Sequence, residues 1–598
     1  MTEEAMNAST IRVQAPAGFD LGTQESPPAL VHELISERTS RQPDAPALDG
    51  LSYRELDSWA ERIARILAHH GVRPGLPVAI RLPAGDQHVA TLLGVLKAGC
   101  FLLPLNPSDP IERCVDAIRD IKPACLLVGN GSDADELISW YRTATSGAVL
   151  SVPARDDAVP ENAPAPAAGH DRLDALAYIV YTSGTTGRPK GIVQSHRGLA
   201  QLVLWMGAEF RMGLGRRTAQ WASPSYDASL CEIFATLIAG GTLCTVPNDI
   251  RFDAGLLVEW LAAQRVNILQ TVPSFARELR YAIDSAAQVP DLTSLDHILF
   301  AGEALPGDLA AGLFAALPGI RQVNLYGTTE AILATWMEVN GEWTGIVPIG
   351  RPIPGRSILV LDRDDNPCPA GVVGEIVICS HFLTLGYVGE TAASRSGFGI
   401  VTVSTTDGET RTIPSYRTGD EGIWRTDGLL EYRGRRDRQV KLRGIRVELT
   451  EIETVLVSHP SVVDCVVVPS GDDGLVQQLI AYVVPAMEAG SPETWRAHLR
   501  RHLRDEMVPS AFVAMASLPR NVGGKVDTSR LPALGEARRA ENMRSKGSSR
   551  LGKFRSWSGE LVQRPGGEGA QGPKDTSYKS TVRAREQETR QTRRLIEE

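Results

Sequence analysis

The 598-residue sequence has no run of eighteen apolar residues, and its opening MTEEAMNAST is acidic with no apolar core behind it. These absences predict neither a membrane span nor a secretory leader, and a cytoplasmic location is expected. Cysteine is sparse: Cys100, Cys114, Cys125, Cys231, Cys244, Cys368, Cys379 and Cys465 are scattered, mostly in apolar runs, with no C-x-x-C spacing. Neither a disulfide framework nor a zinc site is expected, and a reducing interior suits the pattern. Positive charge is in deficit, with a formal net charge of −9, which argues against a nucleic-acid binder because phosphate recognition needs a basic face. The deficit is uneven: from Glu536 onward 15 Lys and Arg face 9 Asp and Glu, so this stretch carries +6 and the rest −15. What remains is ordinary, at 43% hydrophobic and 22% charged, the composition of a soluble globular protein of several domains or one large domain with a satellite.

Residues 1–29 are polar and read as a loose arm. Regular structure is expected from Leu30, and the spacing Leu56, Trp59, Ile63, Leu67 predicts an amphipathic helix. Apolar strands such as VAIRL, CFLLPL, ACLLV, LAYIVYTSG, GTLCTVP, VNILQTVPS, HILFAG and RQVNLYG then alternate with helical stretches. Strands apolar on both faces predict layered, doubly wound α/β subdomains within 30–436, ending in a β-rich subregion around GVVGEIVICS. A helix over RVELTEIETVLVSHP, two strands and a further helix make 437–534 a small, mobile α+β domain. Residues 535–598 are expected to be a basic, disordered tail.

The strongest local signal is LAYIVYTSGTTGRPKG, residues 176–191, where an apolar strand runs into glycines, small hydroxyls and a lysine. Such a loop can wrap backbone N–H groups and hydroxyls around phosphate oxygens, with Lys190 adding a mobile charge. It is not a Walker loop, since Arg188 and Pro189 separate Gly187 from Lys190. A plain surface turn is the competing reading, and the density of Gly and Thr after an apolar strand disfavours it.

This run closely resembles the signature of the adenylate-forming superfamily, particularly the amino-acid adenylation domains of nonribosomal peptide synthetases. LSYREL, LKAGCFLLPLN, YDASLCEIF, NLYGTTE, GEIVICSHFLTLGY, YRTGD, GRRDRQVKLRGIRVELTEIE and GGKVD resemble its further core motifs, in order, across nearly all of residues 30–534. Asn106, Tyr226, Thr328 and Thr450 depart from the usual residues of these motifs, and LRDEMVP is a loose version of another. None of the departures removes a charge that the chemistry needs.

The resemblance implies activation of a carboxylate by ATP, with release of pyrophosphate and transfer of the acyl group to a phosphopantetheine thiol. Both partners of the first step are anionic, so positioning and charge neutralisation dominate. It implies an ATP site of Thr182, Ser183, Gly184, Thr185, Thr186, Gly187, Lys190, Gly302, Glu303, Asn324, Tyr326, Gly327, Thr329, Asp420 and Arg435. Within it, Asn324 and Tyr326 would hold the adenine, Thr329 the α-phosphate, Asp420 and Arg435 the ribose, and Glu330 a Mg2+ ion. By itself, Asp420 in its T-G-D tripeptide would read as a turn residue. Lys525 and Lys190 are the implied catalytic lysines, Lys525 bridging the substrate carboxylate and the α-phosphate; in isolation it would be a solvated surface charge. Asp437 takes the hinge position, about which the family's small domain rotates so that Lys525 leaves and the loop around Lys441–Gly444 enters.

Asp227 separates the subfamilies, because in amino-acid-activating members this carboxylate pairs with the substrate's α-ammonium. The implied pocket is Asp227, Ala228, Cys231, Gln270, Leu299, Ala301, Leu325, Leu333, Ala334 and Lys525. Apart from its charged ends it is apolar, with Gln270 the one strong hydrogen-bonding side chain, so a neutral small-to-medium amino or imino acid resembling proline, valine or leucine is expected. No condensation-type segment precedes Leu30 and no carrier attachment motif follows Lys525, which predicts a stand-alone enzyme serving a separate phosphopantetheinylated carrier protein; the resemblance also admits a small MbtH-like activator. An acyl-CoA or aryl-acid ligase and a catalytically idle homologue acting as a binding protein are the competing readings.

Overall fold

A computed structural model describes residues 10–14, 25–131, 135–157, 173–184, 188–286, 288, 290–341, 343–389, 397–404, 410–471, 476–486, 490–520 and 526–532. The stretch 535–598, read as a basic tail, lies outside the described residues.

The large part holds three sheets. In the first, the parallel strands Arg321–Tyr326, His297–Phe300, Ile268–Thr271, Arg217–Gln220 and Thr242–Thr245 are neighbours in that order, within nine strands. In the second, Leu176–Thr182, Phe101–Pro104, Pro77–Arg81, Cys125–Val128 and Ala148–Ser151 run parallel within seven. The central strands are buried along their whole length, as sheets covered by helices on both faces require. The predicted amphipathic helix spans Tyr53–His69 and buries Leu56, Trp59, Ile63 and Leu67; Ser52 and Glu55 cap its first turn reciprocally. A third sheet of six strands, including Ser357–Leu361, Gly374–Cys379 and Thr410–Trp424, forms the β-rich subregion.

The small unit has the hairpin Gln439–Leu442 and Ile445–Glu448, then a sheet of Val462–Ser470, Gln478–Pro485 and Ala511–Ala514 packed with the helices Leu449–Val457 and Pro492–His502. Trp495, fully buried, anchors its core. All eight cysteines are free and buried.

Two expectations need correction. The arm 1–29 is not loose throughout: Thr10–Gln14 is a strand pairing in parallel with Phe398–Ser404, because Ile11 and Val13 alternate onto one face and bury against Leu359, Val377 and Val401. The helix expected from Arg446 begins only at Leu449, since Ile445–Glu448 is taken up by the hairpin with Gln439–Leu442.

Candidate active site

Neighbouring parallel strands deliver the pocket from their carboxyl ends, the usual place for a ligand crevice in such sheets. Gln270 sits within Ile268–Thr271, Ala301 and Gly302 follow His297–Phe300, and Gly327 follows Arg321–Tyr326. All four line a cavity of about 920 Å³, together with Asp227, Ala228 and Cys231 from the first turns of the helix Asp227–Ala239. The Asp227 carboxylate accepts a hydrogen bond from the Ala228 N–H, at 2.9 Å, and the Thr329 hydroxyl lies close enough to favour its ionised form. No basic side chain among the described residues pairs with it, and burial pushes its pKa up to about 6. Gln270 is 7% exposed and lines the cavity, and its side chain makes no hydrogen bond to another described residue.

Three of the expected pocket positions do not line this cavity. Leu299 and Leu325 are packed into the main apolar cluster, and Ala334 is fully buried in another, its N–H donated to the Tyr326 carbonyl. Residues missed from the sequence take their place: Ile332, Trp221, Arg251 and Glu232. Glu232 accepts from the backbone N–H groups of Trp221 and Ala222, and burial raises its pKa to about 8; Arg251 lies close enough to counter that rise. Glu232 thus has a neighbouring positive charge that Asp227 lacks among the described residues.

The phosphate loop leaves the second sheet. Thr182 ends one strand and Lys190 opens the antiparallel return strand directly opposite it. Ser183 donates from its hydroxyl to the Arg446 carbonyl, and Gly184 donates its N–H to Glu451. A Cβ at Gly184 would lie 2.0 Å from the Arg188 carbonyl oxygen, so only glycine closes this turn. Thr185, Thr186 and Gly187 lie outside the described residues, as does Lys525. The Lys190 ammonium stands 5.5 Å from the Tyr387 ring centroid, and burial lowers its pKa despite nearby Glu448.

Asp420 is fully buried and joins the nucleotide-site candidates: the Tyr326 hydroxyl donates to it at 2.6 Å, and Arg435 pairs with it. Arg435 also holds Asp437, Nε to Oδ1 at 2.7 Å, which ties the expected hinge residue to the nucleotide side. Asn324 is 1% exposed, and its amide nitrogen already donates to the carbonyls of Val347 and Pro348. Its side-chain oxygen is what remains to meet an adenine amino group.

The small unit reaches into this cleft. Gly444 donates its N–H to Glu303 at 2.9 Å, while Glu303 also accepts from Ser274. Lys441 lies 5.4 Å from the Tyr326 ring centroid, over the ring expected to stack on adenine. Arg446 Nη1 contacts both Glu330 oxygens, at 2.9 and 2.8 Å, and the Tyr387 hydroxyl donates to one of them at 2.8 Å. Burial opposes ionisation of Glu330, and the Arg446 guanidinium overrides it and holds the pKa below its ordinary value. A lone buried carboxylate beside phosphate oxygens suits Mg2+, but in this arrangement both of its oxygens face Arg446, and a cation fits there only with Arg446 displaced. Arg446 lies two residues after Gly444, and nothing in the sequence indicated that its charge meets Glu330.

Comparison with known proteins gives the family. The profile of the AMP-binding enzymes matches residues 35–388, and that of the AMP-binding enzyme C-terminal domain matches residues 451–525. Novobiocin biosynthesis protein H of Streptomyces niveus is 37% identical over 515 residues, covering 84% of this chain and 82% of the relative. Phosphinothricin tripeptide synthetase PhsB of Streptomyces viridochromogenes is 37% identical over 536 residues, or 85% of this chain and 42% of the relative. Of several other synthetases the chain spans 20% of the length or less. Among solved structures, holo-PA1221, a nonribosomal peptide synthetase protein containing adenylation and PCP domains, superposes with a TM-score of 0.72 at 26% identity, covering 86% of this chain and 85% of that one.

Proposed function

We propose that this chain, which belongs to the family of AMP-binding enzymes, activates an α-amino or imino acid with ATP and passes the acyl group to the phosphopantetheine thiol of a carrier protein. Asp227 carries the reading. A carboxylate half-buried at the cavity wall with no counter-ion among the described residues is an uncompensated cost that a substrate ammonium would remove, whereas a plain carboxylic acid would bring none. The nearness of the Thr329 hydroxyl to Asp227 puts the ammonium end of the pocket next to the expected α-phosphate contact.

In the first step a substrate carboxylate oxygen bonds to the α-phosphorus of ATP as the bond to pyrophosphate breaks. Lys190, and by resemblance Lys525, would offset the anionic charge brought together there. In the second step a thiolate bonds to the acyl carbon and AMP leaves. The hairpin loop in the cleft, with Gly444 against Glu303 and Arg446 on Glu330, fits the arrangement in which the family carries out this transfer. Similarity to a protein with adenylation and PCP domains supports a carrier partner. Of the remaining wall, Ala228, Cys231, Ala301, Ile332 and Leu333 with Gln270 suit a neutral side chain of small to medium size able to accept or donate one hydrogen bond, while Glu232 and Arg251 lie close enough to offset one another.

ATP–pyrophosphate exchange against a panel of acids tests this. One or a few neutral amino acids should stimulate exchange, and Lys525→Ala should lower it at least ~100-fold. Stimulation by plain or aryl carboxylic acids alone would replace the reading with an acyl-CoA or aryl-acid ligase. No stimulation by any acid would favour the idle homologue.

A further inference from the structure

Every apolar cluster among the described residues belongs wholly to one side of the junction near Asp437: the cluster around Trp495 holds only residues beyond it, the others only residues before it. The seam between the two units is instead held by charge. Arg504, two residues beyond the helix Pro492–His502, reaches across to the large unit with Nε 2.7 Å from Asp109 Oδ1 and Nη2 3.2 Å from Oδ2. The same Nη2 donates to the Ser225 hydroxyl at 2.9 Å, and the guanidinium carbon lies 4.5 Å from the Tyr226 ring centroid. Beside it, Arg113 of the large unit meets Glu451 of the small one at 3.2 Å. The two pairs cross the seam in opposite senses, and all four side chains are at most 9% exposed.

We propose that Arg504 is a positioning residue: its fork on Asp109 and Ser225 and its stack on Tyr226 fix the orientation of the small unit that places the Lys441–Arg446 loop in the cleft. The same contact reaches the pocket, because Tyr226 is the residue immediately before Asp227 and caps the helix that Asp227 opens. A charged seam suits this task better than an apolar one. A desolvated ion pair adds little net stability but is costly when one partner is missing, so it specifies one seat. When the units part, water takes over both charges. The bidentate, stacked geometry requires arginine, since an ammonium offers neither the fork nor the planar face.

Hydrogen exchange of the full chain tests the seat without reference to which acid is activated. The Gly444 N–H bonds only across the seam, to Glu303, so its protection reports the docked orientation. Arg504→Met and Asp109→Asn should each speed exchange of the Gly444 peptide ~10-fold or more, as expected for a broken buried pair. The strands Val462–Ser470 and Leu176–Thr182 should keep their protection. Arg504→Lys should fall between wild type and Arg504→Met, and the double variant Asp109→Asn/Arg504→Met should exchange no faster than Arg504→Met alone. Wild-type protection of Gly444 in both single variants, or additive effects in the double, would overturn the proposal. Should Arg504→Met lose protection in the control strands, Asp109→Asn and Arg504→Lys decide in the same terms.

Discussion

At the scale of single residues, Asp227 shows how a binding site and a stable fold pull apart. Its pKa of about 6, against an ordinary 3.8, means that carrying the ionised form costs about 3 kcal/mol. Because the folded-state value is raised, the cost is absent below about pH 4, grows between pH 4 and 6 and is complete above. Asp227→Asn should therefore stabilise the ligand-free protein at pH 8 and leave it nearly unchanged at pH 4, as thermal unfolding at the two values would show. The same titration predicts that KM for the amino acid rises as pH falls below about 6, where the carboxylate that meets the ammonium is lost. Equal stabilisation at both pH values would mean that Asp227 is not ionised in the free pocket. The position of Asp227 was legible from Tyr226-Asp-Ala-Ser-Leu, but its isolation from every described cation was not, because burial and the absence of a partner are three-dimensional facts. Glu330 is the converse: its motif was plain, while its partner Arg446 lies 116 residues away.

At the scale of elements, the hairpin Gln439–Leu442 and Ile445–Glu448 does most to shape the cleft. Its Gly444 has φ +74°, and an added Cβ would lie 2.2 Å from Val272 Cγ1. Both the left-handed backbone and the contact exclude a side chain, at ~1–3 kcal/mol for the backbone strain alone. Gly444→Ala should push the loop out of the cleft and slow acyl transfer to free pantetheine at least ~10-fold, with Val272→Ala recovering part of the loss by removing the obstructing methyl groups. Transfer at the wild-type rate in Gly444→Ala would show that the loop need not enter. Most elements of the large part were legible because their strands are apolar along their full length and their helices keep a 3.6 period. The strand Thr10–Gln14 was not, since the apolar side chains it buries are few, Ile11 and Val13, and its pairing partner is nearly 400 residues away. The hairpin strand Ile445–Glu448 was hidden by the strong helical pattern that follows it.

At the scale of the whole molecule, an acidic catalytic body assembles two units through a polar seam, and the cleft between them gathers Lys190, Lys441, Arg435 and Arg446 against Glu330 and Asp420. The order of motifs along the chain made this two-part plan legible; which unit's charges neutralise which could be read only from their packing. The central claim is that the Asp227 carboxylate selects an ammonium, so that the acid activated is an amino acid. The rate of ATP–pyrophosphate exchange with the preferred amino acid, divided by the rate with the same acid lacking its α-amino group, tests it most directly. A charge-assisted contact of ~1.5–3 kcal/mol predicts a ratio of roughly ten to a hundred or more in the wild type, falling toward one in Asp227→Ala. A ratio near one in the wild type, or one unchanged by the substitution, would contradict the account.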